Sequence, residues 1–498
     1  MKTITIQNKN LMNCSLLPRK LLVIPLVLAC FALLPRAQAV SPAPDGGYAG
    51  NNTAEGTSAL FSLTSGIDNS GLGFQALYHN TTGNYNTAEG FRALFSNTTG
   101  AQNTANGASA LISNTSGNFN TAYGVNALYR NTTGANNTAN GVSALFSNTG
   151  GVQNTAIGVY ALFSNTASSN TAVGYGALYS NIFDGNTATG YLALFHNTVG
   201  YANVANGYQA LFRNTIGIEN TANGYHALYN NNGTDNTATG VRALSGNTTG
   251  PNNTATGVAA LGSNTIGERN TANGVAALVS NASGSYNAAV GYGALYYTTG
   301  NNNTAIGDSA GFNQTTGSGN VYIGSGENIG AAGENNHTYI RNINTTSVSG
   351  TGTDTVTVNL STGLLGHLSS SRRYKEQIKP MENASEVLFA LKPVTYRYKK
   401  EIDPSQGLDY GLVAEDVAGV DPNLAVRDGK GRIESVRYNA INAMLLNEFL
   451  KAHRQIAEQQ KKIVALESEL KEQRALIQKV SDKVELNKPA RQMVVNEQ

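Results

Sequence analysis

A serine and a lysine stand five residues apart in the segment LGHLSSSRRYKEQIKP, residues 365–380. The chain has no lysine between Lys20 and Lys375, and lysines are frequent after that point. The hydroxyl of Ser370 is a weak nucleophile at neutral pH unless a base removes its proton. A lysine whose pKa is lowered by burial can be that base. The pair therefore has the residue types of a nucleophile and its base.

Some structural element must bring the two side chains together, because a spacing of five does not place them on one face of a helix. A bend, a strand followed by a loop, or a neighbouring chain could do so. Arg373 lies between them and could orient the reacting groups or stabilise charge, or could equally be a surface arginine. Ser369 and Ser371 are alternative nucleophiles.

The elements after residue 370 have the mixed pattern of an α/β region. The stretch 383–393, NASEVLFALKP, predicts a short helix that stops before its proline, and 394–398, VTYRY, alternates as a strand does. Residues 408–424 predict a strand, a helix and a turn, and 432–438 predict another strand.

A long helix is predicted to follow, over residues 439–486. Apolar residues recur every seven positions, and Gln459 and Gln473 occupy two places in the second seam series, where polar residues fix register and oligomer state at some cost in stability. A helix of about 46 residues extends roughly 70 Å. This exceeds the preceding module, so we predict a coiled coil. The first seam series is Phe449, Ile456, Ile463, Leu470, Ile477 and Val484, and the second is Ala452, Gln459, Leu466, Gln473 and Val480.

This region resembles the C-terminal intramolecular chaperone of phage endosialidases and related tail spikes and fibres. The same domain occurs in a self-cleaving membrane-bound transcription factor of animals. The segments that carry the resemblance are SSRRYKEQIKPM (370–381), LKPVTYRY (391–398), YGLVAEDV (410–417), DPNLAV (421–426) and YNAINAMLLNEFLKAH (438–453).

The resemblance implies roles for the opening residues. The family motif Ser-Asp-x-Arg-x-Lys reads SSRRYK at 370–375, so Ser, Arg and Lys match while Ser371 replaces the Asp. In that family the Ser and Lys form a dyad that cuts the chain just before the Ser, after the trimer has folded. The resemblance therefore implies that Ser370 attacks the carbonyl of Ser369 with Lys375 as base. The departure at Ser371 bears on the rate of this cut.

Residues 52 to about 311 repeat with a period of 16 or 17 residues. The unit N-T-A-x-G-x-x-A-L-φ-x-N-T-x-G-x-x, where φ is often aromatic, occurs 16 times. This period is too short for a helix-turn-helix repeat or a propeller blade and fits one coil of a β-solenoid. Glycine at the fifth position of every unit predicts a positive φ or a close backbone approach. Asparagine at equivalent positions can form a stacked amide ladder.

Two apolar columns follow from the repeat. Leucine occupies the ninth position of the first 15 units, and the tenth is aromatic in 11 of them. If both lie on a strand they point to opposite faces, so one column fills the interior and the other is an exposed stripe that monomers rarely keep. Burial against other copies, preferably three around an axis, accounts for the stripe. An aromatic core with leucine facing a loop, or a ligand-binding aromatic stripe, are the alternatives.

The repeats resemble the head repeats of trimeric autotransporter adhesins, whose NxxAxG coils build a left-handed parallel β-roll of three chains. The period here is longer than theirs. Calcium-binding β-roll repeats need aspartate in every turn, and aspartate is sparse here. We therefore reject calcium as a systematic ligand of the repeats. We predict no other metal site and no cofactor.

The first 39 residues predict a secretory signal peptide. Arg19 and Lys20 precede the apolar run LLVIPLVLACFALL (21–34), and AQA (37–39) is a small-x-small cleavage site. A membrane anchor is the alternative, but the run is shorter than the roughly 18 apolar residues that a span needs. Both cysteines of the chain lie in this segment, so the mature chain would form no disulfide.

The predicted fold class is mainly β, with a repetitive parallel β-solenoid, then a small α/β chaperone domain and a long coiled-coil helix. Three short strands, at 321–323, 338–340 and 355–358, suggest a neck between the repeats and the chaperone. The predicted boundaries are 1–39 for the signal peptide, 40–311 for the solenoid shaft, 312–369 for the β neck, 370–438 for the chaperone domain, 439–486 for the coiled coil and 487–498 for a flexible tail.

These features predict an exported, homotrimeric, adhesin-like fibre, secreted or on a bacterial cell surface, whose chaperone domain directs folding and is released by self-cleavage. Its enzymatic activity would be at most one turnover of a Ser/Lys autoprotease on its own chain. The expected partners are other copies and a surface or matrix receptor or glycan. The net charge of +2 gives no sign of a nucleic-acid partner.

The alternative is a phage-type tail fibre or spike that binds or degrades a glycan. The repeats contain few Asp or Glu residues, so the paired carboxylates of a glycoside hydrolase are not apparent. A signal peptide also disfavours a virion protein.

Overall fold

The computed structural model describes residues 48–326, 331–343, 355–360, 362, 364–367 and 369–487. The chain divides into two compact units, Met1–Thr346 and Ser347–Gln498. The predicted signal peptide and all but the first residue of the predicted tail lie outside the described residues.

The first unit is a parallel β-solenoid of about 17 turns in which each coil contributes one three-residue strand to an 18-stranded sheet. Consecutive strands pair in register, so equivalent residues of successive repeats stack on one another. The strands are β1 (Thr53–Glu55), β2 (Ser70–Leu72), β3 (Thr87–Glu89), β4 (Thr104–Asn106), β5 (Thr121–Tyr123), β6 (Thr138–Asn140), β7 (Thr155–Ile157), β8 (Thr171–Val173), β9 (Thr187–Thr189), β10 (Val204–Asn206), β11 (Thr221–Asn223), β12 (Thr237–Thr239), β13 (Thr254–Thr256), β14 (Thr271–Asn273), β15 (Ala288–Val290), β16 (Thr304–Ile306), β17 (Val321–Ile323) and β18 (Thr338–Ile340).

The sheet continues beyond residue 311, where the repeats were predicted to give way to a neck. β17 pairs with β16, and β18 with β17, in the same parallel register as the strands before them. The predicted strands at 321–323 and 338–340 are therefore present, but they belong to the solenoid. Within the register, Tyr322 takes the place that Ala305 holds in the preceding coil.

The solenoid interior is built from small residues and one leucine per coil. The alanine in the middle of nearly every strand, together with the Ala-Leu pair at positions eight and nine, is buried. Leu77 is completely buried, as are its equivalents up to Leu295. The alternative in which leucine faces a loop is therefore wrong.

The expectation that leucine and the aromatic residue share a strand is also wrong. Leu60 has a φ of 50° and lies in a turn outside β1. Its main-chain N–H donates to the carbonyl of Ala76 in the next coil at 3.0 Å. Bonding between coils holds a bulky residue in the left-handed region, which its own preference disfavours. The turn sends leucine inward and leaves the aromatic ring partly exposed.

The fifth-position glycine has the positive φ that the sequence predicts. Gly90 has a φ of 129°, and a Cβ on it would lie 2.8 Å from the carbonyl carbon and oxygen of Gly107. Neither the backbone angle nor the stacking distance leaves room for a side chain here. Coil stacking therefore requires glycine at this position.

The predicted asparagine ladder is confirmed. The main-chain N–H of Asn86 donates to Oδ1 of Asn69 at 3.0 Å, and its Nδ2 donates to the same oxygen at 3.1 Å and to the carbonyl of Gly100 at 2.8 Å. A second ladder runs parallel to it: Nδ2 of Asn97 donates to Oδ1 of Asn80 at 2.7 Å and to Gly100 at 2.9 Å. These amides are buried, and hydrogen bonding offsets the cost of removing them from water.

The last coils of the solenoid close their core with aromatic rings. Tyr322 is completely buried and stacks on Tyr339 with ring centroids 5.6 Å apart and planes 2° from parallel. Both hydroxyls donate to the carboxylate of Glu334, at 2.8 and 2.7 Å. Tyr322 therefore fills space that small residues and leucine fill elsewhere, and the hydroxyls of both tyrosines have a hydrogen-bond partner.

The described residues of the second unit form three short hairpins, three 3-10 helices and two α-helices. Its core is formed by Val417, Leu424, Val436, Ile441 and Met444. The elements are β19 (Thr357–Val358), β20 (Leu365–Gly366), the 3-10 helices Arg372–Tyr374, Glu382–Ala390 and Pro422–Leu424, β21 (Val394–Tyr396), β22 (Asp409–Gly411), α1 (Ala414–Val420), β23 (Ala425–Arg427), β24 (Ile433–Val436) and α2 (Tyr438–Leu486). β19 pairs with β20, β21 with β22, and β23 with β24, all antiparallel.

The predicted long helix is present as α2, which has 49 residues and a length of about 73 Å. Ile441 and Met444 are its buried residues. Every residue from Ala452 to the end of the helix is exposed, and so is Phe449, so the residues of both predicted seam series are exposed. Within the described part of the chain, no helix is long and apolar enough to span a membrane.

Candidate functional site

The segment from Ser369 to Lys375 forms one tight turn. The hydroxyl of Ser371 caps the 3-10 helix Arg372–Tyr374 by accepting from the main-chain N–H of Arg373 at 3.3 Å. The main-chain N–H of Lys375 donates to the carbonyl of Arg372 at 3.2 Å, and the backbone leaves the turn extended. This 3-10 turn is the bend that separates Ser370 from Lys375.

The single chain does not join the predicted pair. Ser370 and Lys375 are both exposed, and the hydrogen bonds among the described residues include none between them. A lysine acts as a base at neutral pH when burial favours its neutral form. The environment that this chemistry needs is therefore absent from the isolated protomer.

The three consecutive serines differ in their hydrogen bonds. Oγ of Ser369 accepts from the main-chain N–H of Ser371 at 3.3 Å, and Oγ of Ser371 accepts from Arg373. Ser370 is the serine of the three whose hydroxyl makes no hydrogen bond within the described residues. Its hydroxyl is thus available to a base supplied by a rearrangement or by another copy, which favours it over its two neighbours as nucleophile.

Arg373 is engaged locally. Its Nε donates to Oγ of Ser371 at 3.3 Å, and its guanidinium lies 5.5 Å from the ring centroid of Tyr374. The side chain is exposed. In the single chain, Arg373 donates to the serine that replaces the motif aspartate and makes no hydrogen bond to Ser370.

The chain just before Ser369 lies beside the start of α2. A cavity of about 540 Å³ is lined by the β19–β20 hairpin and His367 on one side, and by Val436, Arg437 and Tyr438 on the other. Oγ1 of Thr357 donates to the carbonyl of Gly366 at 3.1 Å and closes the hairpin. The residues leading to the predicted cut thus face the beginning of the long helix.

A polar cluster that the sequence gave no reason to expect ties the 3-10 helix Glu382–Ala390 to α2. The buried hydroxyl of Ser385 donates to Oε1 of Glu448, and Nδ2 of Asn447 donates to that hydroxyl at 2.6 Å and to the carbonyl of Glu382 at 2.9 Å. Nζ of Lys451 lies 2.8 Å from Oε1 of Glu448. We call Ser385, Asn447, Glu448 and Lys451 the helix clasp.

Electrostatics in the helix clasp favour the charged forms. The hydrogen bond from Lys451, followed by that from Ser385, lowers the pKa of the Glu448 carboxyl. The same pairing raises the pKa of Lys451, which keeps it an ammonium rather than a base. The clasp therefore fastens one element to another, and its lysine is not suited to activate Ser385 as a nucleophile.

The described residues contain no group of three or more His, Cys, Asp or Glu side chains placed to hold a metal ion.

Comparison with known proteins identifies the C-terminal region. Residues 370–426 match the family model described as chaperone of endosialidase. The match begins at Ser370, the first residue of the motif described above. The chain therefore carries an endosialidase-type C-terminal chaperone domain behind a repetitive region. Neither the curated proteins nor the solved structures include a significant match to this chain.

Proposed function

We propose that the chain is an exported, trimeric, fibrous protein whose C-terminal α/β module and coiled coil direct assembly and are then released by one self-cleavage before Ser370. The observation that carries the proposal is the endosialidase chaperone match, which starts at Ser370 in a chain whose preceding region is a repetitive parallel solenoid. The cut would separate the solenoid from the module that assembled it.

The solenoid has a reason to need such a module. Its coils have nearly the same sequence, so two chains shifted by one whole repeat would make nearly the same contacts as two aligned chains. The hydrophobic pattern alone therefore specifies the alignment between chains only weakly. Parallel β-structure also folds slowly, because it depends on contacts between distant parts of the chain. A helix that associates first would set the register for every coil.

The long helix α2 has the surface for that association. Six first-seam residues are 47–68% exposed in the single chain, from Phe449 to Val484. Monomers rarely keep a continuous apolar stripe in water. Pairing through this seam would bury it in the manner of a coiled coil, with Gln459 and Gln473 fixing register.

The solenoid also offers a surface to other copies. Seven tenth-position rings from Tyr129 to Tyr229 stack in sequence, with centroids 4.9–5.7 Å apart and planes within 20° of parallel. Each ring face is covered by its neighbour, so solvent meets mainly ring edges. Sugars that bind aromatic residues lie on ring faces. The stack therefore favours packing between copies over a continuous sugar-binding strip.

The proposed chemistry is an acyl transfer within the chain. The amine of Lys375 takes the proton of the Ser370 hydroxyl, and Oγ attacks the carbonyl carbon of Ser369. The peptide C–N bond breaks, the nitrogen of Ser370 receives the proton from the lysine, and an ester joins Ser369 to Oγ. Water then hydrolyses the ester, which leaves one chain ending at Ser369 and another beginning at Ser370.

Assembly would gate this reaction. Both side chains are exposed in the single chain, so a neighbouring copy must supply burial that favours the neutral lysine. Within the described residues the hydroxyl of Ser370 makes no hydrogen bond, so a base can accept its proton without first breaking one. The proposal thus explains how the cut can wait until the trimer has formed.

The test is the intact mass of the purified chain under denaturing conditions, with N-terminal sequencing of the smaller fragment. Ser370→Ala should abolish the cut, and Lys375→Ala should slow it by about 100-fold or more because it removes the base. Lys379→Ala is the matched control, since Lys379 is also exposed and lies outside the motif. A fragment that begins elsewhere, or normal cutting by Lys375→Ala trimers, would overturn the proposed dyad.

Restoring the family motif sharpens the test. Ser371→Asp reinstates the residue that the family carries and should raise the rate of cutting. It also keeps an oxygen that can cap the 3-10 helix Arg372–Tyr374. An unchanged rate would show that the position is only a cap in this chain.

A further inference from the structure

The second unit carries an apolar groove beside the start of α2. Its volume is about 500 Å³. No charged side chain lines it, and most of its lining residues are apolar. Its lining includes Leu388, Leu391, Tyr410, Leu412, Ile441 and Leu445.

The groove continues the seam of the long helix. Counting back from Phe449, a first-seam residue, Leu445 falls in the second seam series of the preceding heptad. Ile441 and Leu446 then occupy the two positions that flank the seam on either side. Leu445 and Leu446 are 53% and 59% exposed, whereas Ile441 is 7% exposed because it packs on its own domain.

Flanking positions face each other between neighbouring helices. In a parallel, in-register coiled coil, the residue just before a first-seam position on one helix lies opposite a residue of the neighbouring helix that is five positions later in the sequence. That residue comes just after a second-seam position. For Ile441, the opposing residue is therefore Leu446 of the neighbouring helix. These positions usually carry charged pairs, but here both are apolar, and one of them forms part of the groove.

We propose that Leu446 of one copy inserts into this groove on the next copy. The inference rests on the proposed trimer and names the contact that joins the domain of one chain to the helix of another. The groove and Leu446 are different surfaces of the same chain, so each contact is heterologous. A ring of such contacts closes when the rotation between copies is a third of a turn.

The contact would also bear on the cut. Leu388 and Leu391 in the groove belong to the segment fastened to α2 by the helix clasp, which the chain reaches soon after Lys375. Filling the groove would fix that segment between two copies. The contact between Leu446 and the groove would then both join two copies and fix the segment that follows the motif.

Disulfide trapping tests the contact directly. The full-length chain with Cys14→Ala and Cys30→Ala would carry Leu412→Cys and Leu446→Cys as its only thiols. After mild oxidation and denaturation without reductant, we expect covalently linked trimers. Leu412→Cys with Leu450→Cys is the matched control, because Leu450 lies on the same helix just past the seam, and this pair should run as a monomer.

Sedimentation of the same samples before denaturation separates two kinds of failure. A native trimer whose Leu412/Leu446 pair runs as a monomer overturns the groove contact and leaves the proposed function intact. A wild-type chain that sediments as a folded monomer overturns both.

A second variant does not depend on disulfide geometry. Leu446→Asp changes a residue that is exposed in the single chain, so the fold of the chain should survive. A carboxylate in the apolar groove should raise the dissociation constant of the trimer by about tenfold or more. Leu450→Asp should leave it near the wild-type value. Equal dissociation constants for Leu446→Asp and the wild type would overturn the proposal.

Discussion

The solenoid and the helix α2 differ in how much of their apolar surface a single chain buries. Each solenoid coil buries its alanines, leucine and asparagines against the coils before and after it in the same chain. In α2, which is far longer than any solenoid strand, Ile441 and Met444 are buried and the two seam series are exposed. The solenoid interior is complete in one chain, whereas the apolar seam of the helix is exposed there. Under the proposed function, the information that selects an assembly lies in the C-terminal unit.

The comparison predicts that damage inside the solenoid acts within one chain. Gly90→Ala places a Cβ about 2.8 Å from the backbone of Gly107 and requires a positive φ of an alanine. We expect a loss of about 3 kcal/mol or more in the free energy of unfolding, independent of protein concentration. Thermal and denaturant unfolding at several concentrations would measure it.

Gly150→Ala is the control for that experiment. Its added Cβ would come no closer than 3.4 Å to Oγ1 of Thr133, and its φ is not in the left-handed region. It should change stability by about 1 kcal/mol or less. Equal losses for the two variants would show that coil stacking does not depend on the fifth-position glycine.

The asparagine ladder predicts a smaller loss of the same kind. Asn103→Ala removes hydrogen bonds to Asn86 and Gly117 and leaves the main-chain N–H of Asn120 without its acceptor. Leaving buried groups unpaired should cost about 2–3 kcal/mol in unfolding free energy. Asn106→Ala, whose exposed amide donates to Glu89, should cost about 0.5 kcal/mol or less. A reversed order would contradict the ladder's role.

The helix clasp predicts the smallest effect, and a dependence on pH. Because folding lowers the pKa of Glu448 below its ordinary 4.5, the clasp contributes stability above that value. This stability falls as the pH drops through the folded pKa, when Glu448 takes up a proton. Once the measured rates are corrected for intrinsic exchange, the protection of the main-chain amides in the 3-10 helix Glu382–Ala390 should therefore fall as the pH drops below about 4.5.

Glu448→Gln isolates the charge in that experiment. Glutamine keeps an oxygen that can accept from Ser385 but cannot pair with Lys451 as an ion. The variant should show little change of exchange with pH beyond the intrinsic chemistry. If its pH profile followed that of the wild type, another group would be responsible.

Much of the solenoid could be predicted from the sequence because its period is short and its constraints repeat. Glycine at a fixed position provides the positive φ and close backbone approach that stacking requires, and asparagine at a fixed position provides the amide hydrogen bonds between coils. Both the coil and the ladder could therefore be predicted from the repeat. The extension to Ile340 was missed because Tyr322 replaces the expected alanine. The spacing from Asn303 to Asn320, with Gly324 at the fifth position, is the signal that could have revealed it.

Other features had no local signal. The left-handed turn at Leu60 contradicts the preference of leucine, and only bonding between coils stabilises it. Ser385 and Glu448 are 63 residues apart and follow no period, so their contact depends on how the domain folds. The motif at Ser370 indicated the candidate chemistry, but Ser370 and Lys375 are both exposed in the single chain, and one sequence does not specify an assembly.

The most direct measurement of the central claim, that assembly through α2 gates the cut, is the fraction of cut chains when the seam is broken far from Ser370. Ile463→Asp plus Leu470→Asp places carboxylates at two first-seam positions and should prevent trimer formation. Val464→Asp plus Lys471→Asp adds the same side chains one residue off the seam and is the matched control. Intact mass and sedimentation would be measured on each. The account predicts a monomeric, uncut seam variant and a trimeric, cut control. A seam variant that remains monomeric and is cut as fully as the wild type would contradict it.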